Sequence, residues 1–217
     1  MDNVIVQAND YIYHSKIAHL PVKSGDLVEL ISREGYDVFS YAQAKELIQF
    51  ANLESYLDAD GFTYTHENFK AVLYKDELSS DERAFVLAHE LGHIILKHTT
   101  NGINKKTRNE YWISTQEEEA DDFAYQLLAP ICILKHKHIK TVNSIMQNTL
   151  LGKARSERVL GKVVSYKPVS NDKLVCDKFF AKRNNIRTAT TIFVLLCMIA
   201  VLMVLGASLL QKLVNAI

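Results

Sequence analysis

His89-Glu90-Leu91-Gly92-His93 sets two imidazoles four residues apart with a carboxylate beside the first. On a helix, residues four apart lie nearly above one another, so His89 and His93 can grip one metal ion while Glu90 points beside it. That grouping suits hydrolysis of an amide bond by an activated water, with Glu90 as the base. It also requires a third protein ligand and an open fourth position. The candidate is Glu117, which shares a helix face with Asp121 one turn later. From there Asp121 can accept the free ring N–H of a ligating histidine and fix its tautomer. The neighbouring acids Glu118, Glu119 and Asp122 are read as complementing a helix N-terminus.

Local signals place these residues on two helices. Ser79-Ser80-Asp81-Glu82 fits a capping box, with Ser79 as cap, and the apolar run Ala84-Phe85-Val86-Leu87-Ala88 carries the helix into the histidine motif. Ser114-Thr115-Gln116-Glu117 reads as a second capping box, opening a helix from Glu117 that Pro130 ends, after a polar loop from His98 to Trp112. Small side chains at Ala120 and Ala124 allow a close approach of the two helices. Upstream, two helices flank a break at Pro21–Gly25, a strand covers Tyr36–Tyr41, a short helix Ala42–Phe50, and a strand pair Gly61–Thr65 and Phe69–Tyr74. The strand Lys70–Tyr74 is either a rail for an extended substrate or a paired core strand. The fold class expected is α+β.

The two patterns together resemble the ImmA/IrrE-like metallopeptidases, whose motif runs F-x-x-A-H-E-L-G-H and then E-x-x-A-[ND]-x-F-A-x-x-L-L-x-P. Here Phe85, Ala88, His89, Glu90, Leu91, Gly92 and His93 are followed by Glu117, Ala120, Asp121, Phe123, Ala124, Leu127, Leu128 and Pro130. The resemblance selects Glu117 over Glu118 and Glu119, because it stands three residues before the Ala-Asp pair. It implies a small zincin-like metallopeptidase domain over 1–130, with Zn²⁺ held by His89, His93 and Glu117, Glu90 as catalytic base and Asp121 behind a ligand. It also implies a helical, helix-turn-helix-like extension over 131–165. Direct nucleic-acid binding is not expected of that extension, since a small three-helix unit more often packs or meets a protein. His136 and His138 diverge on a helix and are read as surface residues.

Composition bounds the rest. The chain has 217 residues, zero formal net charge and 48% hydrophobic content, enough for one good core without a global basic field. Cys132, Cys176 and Cys197 form no C-x-x-C pair and suggest neither a disulfide framework nor a cysteine metal site. Residues 166–188 read as a basic linker. After it, Ile192 to Leu210 carries no charge and would make a helix about 28 Å long, so 189–211 is expected to be a transmembrane helix. Lys178, Lys182, Arg183 and Arg187 before it, against Lys212 beyond it, orient the catalytic part towards the cytoplasm. Met1 to Tyr13 lacks the pattern of an export signal.

These readings converge on a membrane-tethered zinc endopeptidase with a specific protein substrate. By resemblance, that substrate is a helix-turn-helix repressor of a phage or mobile element. The rival is a non-catalytic binding module, an antitoxin or membrane scaffold, for which an intact Glu90 has no use. The group that stabilises the oxyanion is left open between Tyr111, Tyr125 and loop residues.

Overall fold

The computed structural model describes residues 2–67, 69–98, 102–103 and 110–181. Two compact units are present, Met1–Cys176 and Asp177–Ile217, and the fold that follows is that of the first. It begins with α1 (Asp2–His14) and α2 (Ser24–Arg33), then β1 (Asp37–Ser40), α3 (Lys45–Phe50), β2 (Gly61–His66), β3 (Phe69–Tyr74) and α4 (Ser80–Ile95). A two-residue strand β4 (Gly102–Ile103) precedes α5 (Glu110–Leu128), and α6 (Ile131–His136), α7 (Val142–Thr149) and α8 (Lys153–Ser165) follow, with residues 172–181 helical after them. The expected α+β class holds.

The sheet runs β1-β3-β2-β4, with β1 parallel to β3 and the other pairs antiparallel. Because strand side chains alternate, Phe62, Ala71 and Leu73 fall on one face, where they bury with Ala44, Ile48 and Leu53 around α3. Thr63 and Val72 are paired on the opposite face, the one towards α4. This order decides between the two readings of Lys70–Tyr74: it lies on β3 between β1 and β2, with Ala71–Tyr74 paired on both sides, and serves as the core strand.

The helix α4 starts as its sequence dictates: Ser79 Oγ accepts from the Glu82 amide, and the Ser79 amide donates to Glu82 Oε2 at 3.1 Å. Its apolar residues are buried almost all round, by the sheet, α2 and α5. The start of α5 differs from expectation. Ser114 lies within a helix that begins at Glu110, since a Ser-x-x-Glu pattern signals a start only where the preceding residues are not helical. At Gly92, an added Cβ would meet Ala120 O at 3.1 Å and Ala120 Cα at 3.2 Å, so the missing side chain is what lets α4 and α5 touch through their backbones.

Residues 131–165 pack within the same compact unit as residues 2–130. The segment read as linker is described as far as residue 181, and its first part is anchored. Asn171 donates to Val6 O and Asp10 Oδ1 on α1, and buried Asn9 links it to Gln126 on α5. The candidate membrane helix at 189–211 lies outside the described residues. Among those described, no helix is long and apolar enough to cross a membrane.

Candidate metal centre

Helices α4 and α5 present the site to each other. His89 Nε2 lies 3.0 Å from His93 Nε2 and 3.2 Å from Glu117 Oε2, and His93 Nε2 lies 3.6 Å from Glu117 Oε1. Tetrahedral zinc with metal–ligand lengths of about 2.0–2.1 Å spaces its ligands about 3.3 Å apart, and the three observed separations bracket that value. The donor set, two imidazoles and a carboxylate, is one that zinc accepts. His93 is buried, His89 nearly so, and the Glu117 side chain is 48% exposed, which leaves the group accessible from one side.

The local surroundings orient each member. His89 Nδ1 is 3.0 Å from Asp121 Oδ1, which assigns the proton to that nitrogen and directs the Nε2 lone pair at the ligand cluster. Without a metal, burial lowers the basicity of His89, but hydrogen bonds to Asp121 and Glu117 and the nearby Glu90 outweigh it and raise its pKa to about 10. The same contacts from His89 and His93 hold Glu117 below the usual carboxylate range. Glu90 is buried beside the cluster, and Thr63 Oγ1 donates to its Oε2 at 2.7 Å. Thr63 faces α4 because of the strand alternation of β2. Gly61 allows that approach, since a Cβ there would meet Val86 Cγ1 at 2.5 Å.

An open cleft leads to these residues, bounded by Ala59–Thr63 on one side and by Phe85, Asp121 and Arg155 on the other. On that second wall the Arg155 guanidinium lies 4.1 Å above the Phe85 ring, and Arg158 on the same helix reaches Asp121 Oδ2 at 3.3 Å. Thus α8 is fastened to α5 through Arg158–Asp121 and Lys162–Asp122 and supplies part of the cleft.

All five residues singled out from sequence, His89, Glu90, His93, Glu117 and Asp121, come together here. Others were missed. Glu119 and Asp122 do more than complement a helix terminus: Glu119 meets His98, and Asp122 pairs with Lys162. His98 itself contacts His93. Tyr125 is buried beside Arg158 and packs tilted against Phe85, ring centroids 5.0 Å apart, without lining this cleft, and the side chain of Tyr111 lies outside those described. His136 and His138 are exposed, as expected.

Comparison with known proteins agrees with this arrangement. Residues 43–147 match the family model of the IrrE N-terminal-like domain, peptidase M78. An uncharacterized immunity region protein 2 of Bacillus phage phi105 is 36% identical over 70 residues, 32% of this chain, and the match spans 44% of the relative, less than half its length. No solved structure matches. The matched segment holds His89, Glu90, His93 and Glu117 in a metallopeptidase-like domain similar to that of the ImmA/IrrE-like family.

Proposed function

We propose that the chain is a zinc-dependent endopeptidase that cuts one specific protein and is tethered to a membrane. The observation that carries this reading is the convergence of ligand atoms from His89, His93 and Glu117 within 4.8 Å of one another, beside a buried Glu90. When bound, zinc supplies a Lewis acid that lowers the pKa of a water molecule and polarises a scissile carbonyl. Glu90 would accept a proton from the attacking water and pass it to the leaving amine. Thr63 occupies Oε2 of the Glu90 carboxylate, so Oε1 is the oxygen available to the proton. Arg155, on the cleft wall, takes the place of Tyr125 as a candidate for meeting charge on the carbonyl oxygen.

Gly61–Thr63 of β2 lines the cleft, and among the described residues β4 pairs with β2 at Tyr64 and Thr65. A relative named for a phage immunity region supports a helix-turn-helix repressor as the substrate. The uncharged run Ile192–Leu210 supports a single-pass anchor, and the preceding cations support a cytoplasmic active site.

Co-expression of the chain with helix-turn-helix repressors encoded beside it tests the reading. Wild type should yield a shortened repressor with one new N-terminus by mass spectrometry. Glu90→Gln should leave it full length while still binding it, since loss of a base costs about 10²–10⁴ in rate. A biological effect that survives Glu90→Gln with the partner uncut in both strains would establish a binding module instead.

A further inference from the structure

The helix α4 does not simply stop after the second histidine. The Leu96 amide donates to Gly92 O, the Lys97 amide to Ile94 O and the His98 amide back to His93 O at 2.9 Å, with Lys97 in the left-handed region at φ +60°. This turn folds the chain under the helix and brings the His98 ring beneath that of His93. Their Nδ1 atoms are 3.1 Å apart, and His98 Nε2 is 3.0 Å from Glu119 Oε2 on α5, two residues beyond Glu117. Both imidazoles are buried, with side-chain exposures of 5% and 7%, so water does not substitute for these contacts.

Only one arrangement of protons fits. Two Nδ1 atoms at hydrogen-bond distance need one proton between them, because two lone pairs or two N–H groups would repel. His93 Nε2 faces His89 and Glu117, and a metal there requires its lone pair, so the neutral ring of His93 carries its proton at Nδ1. His98 Nδ1 must then accept, and the His98 proton sits on Nε2, where the Glu119 carboxylate receives it. We propose that His98 and Glu119 form a relay that positions His93 as a metal ligand, and so set how tightly the centre holds its ion. The two ligating histidines are thereby supported unequally. His89 leans on the Asp121 carboxylate directly, whereas His93 reaches its carboxylate through a second imidazole. Partners of this kind orient the ligand ring and increase its electron donation, and losing one typically weakens metal binding 10–100-fold.

The proposal rests on the metal-site reading, and zinc affinity of the full chain separates the two. Competition against a chromophoric chelator at one pH gives the zinc Kd for wild type, His98→Ala, His98→Gln and Glu119→Gln. The expected loss is about 10–100-fold for His98→Ala. His98→Gln should recover most of it, since its amide oxygen can accept from His93 and its amide nitrogen can donate to Glu119. A role limited to filling space would not distinguish Gln from Ala in this way. Glu119→Gln, at a half-exposed side chain with little bearing on folding, should lose several-fold, and it decides the matter if His98→Ala does not fold. Ring ¹⁵N shifts should report His93 protonated at Nδ1 in wild type and a mixture of tautomers in His98→Ala. Zinc binding by wild type with affinities unchanged in His98→Ala, or in Glu119→Gln alone where His98→Ala does not fold, would overturn the relay alone. Failure of folded wild type to bind zinc would overturn the relay and the metal site together.

Discussion

Substituting Gly92 by alanine tests whether the backbone contact between α4 and α5 sets the position of Glu117. Gly→Ala inside a helix normally stabilises by about 1 kcal/mol. At Gly92, however, the new methyl would lie 3.1 Å from Ala120 O, 3.2 Å from Ala120 Cα and 3.3 Å from Phe123 Cβ, two of them backbone atoms that cannot rotate away. Carbon contacts prefer about 3.5–4.0 Å, so α5 must retreat by about 0.3–0.5 Å. Overpacking of this kind costs about 1–3 kcal/mol, which at least cancels the helix gain and leaves a net loss of about 0–2 kcal/mol. Glu117 moves with α5, and a shift of that size exceeds the ~0.2 Å tolerance of a metal ligand. Zinc affinity should therefore fall roughly tenfold, or about 1.4 kcal/mol. Thermal denaturation and chelator competition read the two effects separately. Gly161→Ala on α8 is the control, since nothing lies within 4 Å of its added methyl and it should stabilise. If Gly92→Ala stabilises as much as Gly161→Ala and binds zinc as wild type does, close approach does not position the carboxylate.

Zinc uptake should release protons. His89 is raised to about 10, so at pH 8 the metal-free site holds a proton that the metal must displace, and log K should rise by about one per pH unit until pH approaches 10. Calorimetry in buffers of different ionisation enthalpy should find about one proton released at pH 8 and about half as much at pH 10; no release at pH 8 would refute the assignment. Asn9 is fully buried, donates to Asn171 and Asp172 and accepts from Gln126 at 2.7 Å. Asn9→Ala strands those partners and should cost about 2–4 kcal/mol, seen as a drop in Tm of roughly 5–15 °C; a loss under about 1 kcal/mol would show that the network is not cooperative.

What sequence revealed and what it hid divide along physical lines. The core of the site was legible because it is local: helix periodicity stacks His89 on His93, and the same periodicity puts Glu117 and Asp121 on one face of α5. His98 was illegible because its place depends on a left-handed residue at Lys97, where no glycine announces the turn. Glu119 looked like one more acid in a charged run, and its role appears only once α4 and α5 are side by side. The two-residue strand β4 carries no periodicity at all, and strand order, which made β3 central, is a property of the sheet and not of any one strand. Arg155 lies outside the segment that carries the histidine motif, beyond the range of any spacing rule.

Arg155 belongs to α8, outside residues 43–147, so part of one bank of the cleft is encoded separately from the centre it overlooks. For the proposed peptidase, the chemistry and the choice of what enters the cleft can then diverge at different rates. Exchanging α8 between relatives, with Arg158 kept to hold Asp121, would redraw the cleft wall while His89, His93 and Glu117 stay as they are. A chain trimmed to the matched segment would keep His89, His93 and Glu117, with Phe85 and Asp121 beside them, but lose Arg155 from that wall of the cleft.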